Sequence, residues 1–190
     1  MVRLIDIIEE FIPGDWGEEC PVGDAINQVR CVRGADIVPI KSYSFSNIPT
    51  RYVSKKTIDK KLLQEGDIVI EKSGGSPTQS TGRTVYISKE LIDSVGPLVC
   101  SNFCVAFRLK KGWNSKFIKN YIENVYNAGV FFNYEGKTSG LKNLQVEAAY
   151  SSILIDEVPL EEQSSRVELL ELIDKKVAVN TSINCDLSAA

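Results

Sequence analysis

Residues 62–87 read LLQEGDIVIEKSGGSPTQSTGRTVYI. Ile68, Val69 and Ile70 form a short β-branched run, and Val85, Tyr86 and Ile87 form another. Side chains of these types suit the pleated surface of a strand. Gly66-Asp67 marks the turn from which the first strand departs. The ten residues from Ser73 to Gly82 hold three glycines, one proline, five hydroxyl residues and Gln79, and Arg83 follows. With no large apolar side chain among them, they have nothing to bury. The stretch therefore reads as strand, long polar loop, strand, with the loop laying N–H groups and short polar side chains outward. An ordinary exposed hairpin loop has the same composition.

Charge is segregated around this stretch. Residues 41–61 carry six basic side chains against Asp59 alone, and 101–143 carry seven basic and two acidic ones. Residues 1–30 carry two basic and seven acidic, and 144–190 three and nine, so a net charge of −3 conceals a basic middle between acidic ends. That pattern predicts one electropositive face on an acidic body, and a polyanion responds to the local field rather than the total. Single solvated surface lysines have the same composition.

The 190 residues, 43% hydrophobic and 25% charged, suit a soluble globular domain with at most one appendage. No apolar run approaches the roughly 20 residues that span a bilayer, and acids at Asp6, Glu9 and Glu10 exclude a secretory signal. Five cysteines, with none in CxxC spacing, read as reduced thiols in a cytoplasmic protein. The absence of histidine removes Ser-His-Asp and Cys-His nucleophiles and HExxH metal sites together.

Along the chain, the spacing of Leu4, Ile5, Ile7, Ile8 and Phe11 predicts a helix over 3–11, ended by Pro13-Gly14. Trp16 reads as a packing anchor. Residues 30–40 have a strand-like centre, and 42–51 read as a loop whose Tyr43 and Phe45 either stack on a base or cover a sheet edge. Alternation through Phe103, Val105, Phe107 and Leu109 predicts one strand over 98–109. A helix over 115–126 is capped near Asn114 or Ser115. Residues 131–140 read as a second polar loop, 141–149 as a short helical segment and 153–155 as a last strand. From Pro159 a long helix opens with acids in its first turn. Its apolar side chains Val167, Leu170, Ile173 and Val177 run at spacings of three and four, a seam that seeks another helix or folds back on its own domain.

No catalytic motif survives. Gly136-Lys137-Thr138 resembles the end of a phosphate loop, but GxxxxGK[ST] requires glycine where Phe131 stands. Glu9/Glu10, Glu18/Glu19 and Glu161/Glu162 are chain neighbours and do not face each other across a substrate. No metal site, cofactor site or catalytic residue is assigned.

Several of these features occur together in one family. They are Gly66-Asp67 before a β run, the glycine-rich loop closing at Gly82-Arg83, and Cys100-Ser101-Asn102 entering the next strand. The loop from Gly136 to Leu144 and Val158-Pro159-Leu160-Glu161-Glu162-Gln163 opening the terminal helix complete the set. In this order they resemble the specificity subunit of type I restriction–modification systems, one target recognition domain with its conserved-region helix. The resemblance implies a non-catalytic subunit in which recognition domains, joined by antiparallel helices, each read half of a split target. A methyltransferase subunit that modifies adenine and a restriction/translocase subunit dock on it. In keeping with that, no Asn/Asp-Pro-Pro-aromatic methyltransferase motif is present, since none of the seven prolines are adjacent.

The expected fold is α+β: a β-rich recognition domain with peripheral helices over 1–157, followed by a coiled-coil-type dimerisation helix over 158–187. Under the resemblance, Lys41, Arg51, Lys55, Lys56, Lys72 and Arg83 make phosphate contacts. Ser73, Gly74, Gly75, Ser76, Thr78, Gln79 and Ser80 of the first loop, and Asn133, Tyr134, Lys137, Thr138 and Ser139 of the second, line the DNA. Gln79, Arg83, Asn133 and Lys137 are offered to base edges. Leu160, Gln163, Val167, Leu170, Ile173 and Val177 form the subunit interface. The partners are double-stranded DNA, the methyltransferase and restriction subunits and a second recognition domain, supplied by homodimerisation or by a longer polypeptide; no membrane is involved. The alternative is a non-catalytic protein-interaction module acting through its terminal helix.

Overall fold

The β-branched runs of 62–87 become adjacent strands. In the computed structural model, which describes residues 1–74, 79–138 and 141–188, Ile68–Glu71 pairs antiparallel with Thr84–Tyr86, Val69 opposite Val85. Gly66 makes the entry turn at φ +95°. Asp67 follows it, fully buried, accepting the Gln64 N–H at 2.8 Å and the Arg108 guanidinium at 2.9 and 3.0 Å. The GD pair thus starts the strand and ties it to a neighbour.

In chain order the strands are β1 (Val2–Arg3), β2 (Ile8–Pro13), β3 (Asn27–Val32), β4 (Thr50–Val53), β5 (Ile68–Glu71), β6 (Ser73–Gly74), β7 (Thr84–Tyr86), β8 (Leu98–Cys100), β9 (Cys104–Leu109), β10 (Glu135–Thr138), β11 (Leu141–Leu144) and β12 (Leu154–Ile155). The helices are α1 (Ile37–Lys41), α2 (Lys55–Lys61), α3 (Lys89–Val95), α4 (Ser115–Asn127), α5 (Val146–Ser152) and α6 (Leu160–Ser188). The central sheet runs β2-β9-β5-β7, flanked by β4-β3-β8, the small sheet β10-β11-β6 and the pair β1-β12. This is an α+β fold.

The central sheet is buried on both faces, which explains why β5 is apolar without alternation. Ile68, Ile70 and Phe107 face a core shared with Ile118 and Ile122 of α4 and Tyr150 of α5. Val69, Cys104 and Ala106 face a second core with Val32, Ile37, Leu91 and Leu98. A third, smaller cluster lies across β3, where Val29, Cys31, Val53 and Val99 meet Trp16 and Ile58 of α2.

Several expected elements change. Residues 3–11 are not a helix: a 3-10 turn at Leu4–Ile7 leads into β2. The register of β2 against β9 shifts between Ile8 and Glu10, and this bulge breaks the strict alternation that would have identified a strand. The strand expected in 30–40 ends at Val32; Ile37 and Ile40, three apart, are the buried side of α1. The single strand expected over 98–109 is two, because a turn closed by the Cys104 N–H on the Ser101 carbonyl carries the chain from the β3 sheet to the central sheet. The polar residues 135–138 form β10, and 141–144 form β11 rather than a helix, because they pair with each other. α4 matches its expectation, with Asn114 Oδ1 accepting the N–H groups of Lys116 and Phe117. Among the described residues no helix is long and apolar enough to cross a membrane.

Candidate nucleic-acid interface

The two polar segments singled out in the sequence come together on the small sheet. Leaving β5, the Lys72 and Ser73 N–H groups donate to the Phe103 carbonyl at 2.9 and 3.0 Å, and the Leu144 N–H donates to the Lys72 carbonyl at 2.7 Å. β6 pairs with β11, Gly74 opposite Lys142 and Ser73 opposite Asn143, and Ser73 Oγ donates to Asn143 Oδ1 at 2.5 Å. On the return, the Thr81 N–H and hydroxyl donate to Glu135 Oε1 at 2.6 and 2.9 Å, while Lys142 meets the other oxygen at 3.4 Å. Burial works against the Glu135 charge, but Thr81 and Lys142 outweigh it and hold the carboxyl below the ordinary range.

The two strands beside the loop are tied at the same level. Glu71, buried at the end of β5, accepts Arg83 Nε at 2.8 Å and Nη2 at 2.7 Å. This forked pair raises the Arg83 pKa. Gly82 holds φ +109°, and a Cβ there would lie 2.4 Å from the Phe131 ring. No other residue fits that position.

Next to these feet lies an open groove of about 530 Å³, lined by Trp16, Ala35, Ser73, Gly74, Phe103 and Leu141 among others. Phe103 is 53% exposed. Trp16 carries the Arg51 guanidinium over its ring at 4.1 Å. Through the third apolar cluster Trp16 also meets α2. That helix presents Lys55, Lys56 and Lys60 to solvent, with no acid in its first turn. Lysines at a helix N-terminus oppose the helix dipole, and Lys56 and Lys60 are like charges one turn apart.

The remaining predicted residues are placed as follows. Lys41 is paired with Glu123 of α4 at 2.5 Å; burial pulls its ammonium down despite that partner. Arg51 also lies 3.5 Å from Glu19, and Lys55 reaches Asp59 at 2.6 Å. Lys72 is half-buried, Gln79 exposed and Ser80 buried; the Gln79 carbonyl accepts Lys142 Nζ at 3.0 Å. Asn133 is exposed and Tyr134 half-buried. Gly75, Ser76, Thr78 and Ser139 lie outside the described residues, as do the side chains of Lys137, Thr138 and Val177. Phe45 packs on the second core, while Tyr43 is exposed.

On α6 the predicted seam divides. Gln163 and Val167 are 1% and 5% exposed, turned onto their own domain, whereas Leu160, Leu170 and Ile173 face solvent. Leu169 and Leu172, not singled out in the sequence, are 60% and 64% exposed. Leu172 lies roughly 180° around the helix from Gln163. The 169/172/173 spacing is legible as a seam; the bracing acids Glu71 and Glu135 leave no sequence signal.

Burial raises the thiols of Cys31 and Cys104 to about 12 and that of Cys100 well up, so they stay protonated near neutrality. Among the described residues no cluster could hold a metal ion.

Residues 34–188 match the family profile described as type I restriction modification DNA specificity domain. No curated protein matches the chain significantly. Solved structures that share its fold include the following three. One, described as the structural basis of complex assembly and conformational transition of the type I R-M system, has a TM-score of 0.63 at 16% identity. It covers 99% of this chain and 41% of its own. The type I restriction–modification S subunit from M. genitalium has a TM-score of 0.58 at 12% identity, covering 95% and 40%. The HsdS subunit from Thermoanaerobacter tengcongensis has a TM-score of 0.50 at 18% identity, covering 94% and 37%. The chain thus spans about two fifths of the length of the structures it resembles.

Proposed function

The chain belongs to the type I restriction–modification DNA specificity family, the recognition component of these systems rather than a catalyst, and on that premise we propose that it reads one half of a bipartite double-stranded DNA target. In this reading residues 1–157 are the recognition domain and 158–187 the assembly helix. The helix docks the adenine methyltransferase and restriction subunits in the cytoplasm and brings in a second recognition domain, most simply from a second copy.

The observation that carries the reading is the convergence of two polar segments on one braced sheet, beside a groove that joins α2 through Trp16. Lys56, set against the dipole in the first turn of α2, and Lys60, a like charge one turn on, gain from a polyanion that neutralises them. Gln79 and Asn133, both exposed, are the described side chains best placed for base edges. Arg83, forked onto Glu71, braces the loop rather than reading a base.

Lys56→Glu with Lys60→Glu should weaken binding to specific and random duplexes alike. The slope of log K against log salt should flatten by roughly one unit per lysine. An unchanged slope rules α2 out of the interface. The second reading, a protein-interaction module, draws on exposed Leu169, Leu170, Leu172 and Ile173. Salt-insensitive DNA binding by the parent protein would favour it.

A further inference from the structure

Each end of α4 grips one of the two parts that the proposed function sends to different partners. At its C-terminal end Tyr126 donates its hydroxyl to the Ser80 carbonyl at 3.4 Å, and Phe131, just beyond, fills the space over Gly82. At its N-terminal end Asn114 makes three kinds of contact. Its Oδ1 caps α4, its N–H donates to Gln163 Oε1 at 2.8 Å and its Nδ2 to Ser164 Oγ at 3.3 Å. Gln163 completes the joint through Nε2, which donates to the carbonyls of Val158 at 2.7 Å and Gly112 at 3.3 Å. Buried Val167 and the pair of Lys116 with Glu171, 2.5 Å apart, extend the contact for two turns of α6.

A buried amide with both ends satisfied fixes one orientation, because any rotation of α6 leaves polar groups unpaired. From Asn114 to Tyr126 the helix measures roughly 18 Å. We infer that α4 is the strut that sets the position of the reading loop relative to the assembly helix, with Gln163 and Asn114 as the positioning residues. The spacing between half-sites then depends on this joint as well as on the length of α6. The inference rests on the proposed function for its consequence, and on α4 alone for its geometry.

Two variants test it. Gln163→Ala empties the joint. Asn114→Ser keeps the cap of α4, since serine caps as well as asparagine, and shortens the side chain so that it no longer reaches Ser164. Nitroxides on native, exposed Cys20 and on Lys176→Cys, with Cys185→Ser and dilution into unlabelled protein, report the angle of α6 by dipolar distance. The parent should give one narrow distance, and both variants a distribution roughly twofold wider or shifted. Selection of duplexes with varied spacers should then yield a broader or displaced spacer preference, while affinity for a single half-site holds within roughly twofold. Unchanged distances in both variants, or an unchanged spacer preference, would overturn the inference. Loss of salt-sensitive half-site binding in the parent itself would instead strike the proposed function.

Discussion

The polar edge that exposes Gln79 and Asn133 and the outer side of α6 at Leu169 and Leu172 both face solvent, yet they are held by opposite means. The edge is polar and braced from below: Glu71 fixes Arg83, and Glu135 fixes Thr81 and Lys142. Among its described side chains the helix is braced between Gln163 and Glu171, while Leu169, Leu170, Leu172 and Ile173 meet water. A polar edge with its donors already ordered loses little entropy on meeting a polar partner. An aliphatic row gains only by leaving water. The two surfaces therefore fit different partners, and one can be disabled without the other.

The sharpest break is on the helix. Leu169→Gln with Leu172→Gln keeps helix propensity and removes the seam, and should abolish self- or methyltransferase association in sedimentation. Both sites are more than half exposed, so thermal stability should move by less than about 1 kcal/mol. On the braced edge the converse holds. Glu71→Ala strands the Arg83 guanidinium and should cost about 3 kcal/mol in urea unfolding, with α6 association retained. Equal effects of the two variants on both readouts would erase the contrast.

Acid separates the surfaces more gently. Glu135, Glu123 and Asp15 are each partly desolvated against their charge, yet hydrogen bonds from Thr81, from Lys119 and Lys41, and from Thr57 keep them ionised below the ordinary carboxylate range. Their folded pKa values are depressed, so their stabilisation is complete above about pH 5 and is lost as pH falls through the folded values. Melting temperature should hold from pH 7 to about 5 and then fall, with the protein least stable in acid. The smallest expected effect is in the core beneath. The Tyr150 hydroxyl is buried without a partner, and burial raises its pKa well above the ordinary value. Tyr150→Phe removes that orphan and should leave stability unchanged or raise it by about 1 kcal/mol, with both surfaces unaffected.

Local signals were legible where they act within a few residues. The β-branched runs of β5 and β7, the Asn114 cap of α4 and the acid-rich start of α6 after Pro159 needed no distant partner. β2 was not legible, because a bulge between Ile8 and Glu10 disguised a strand as a helical period. The candidate interface was legible as composition and not as geometry. The sequence marked both polar segments, but not that Thr81 would meet Glu135, 54 positions away, or that Phe103 would stand beside Ser73.

Taken alone, the sequence determined the strands flanking the polar loop, the helices α4 and α6, the charge segregation and the family resemblance, since each is written in neighbouring side chains. Tertiary structure decided which groups remain available. It turned Arg83 inward onto Glu71, brought two separate polar segments onto one sheet, and divided the helix between Gln163 and Val167 on its own domain and Leu169 and Leu172 in solvent. The physical reason is that periodicity assigns a residue to a face, while only contacts between distant residues settle what that face meets.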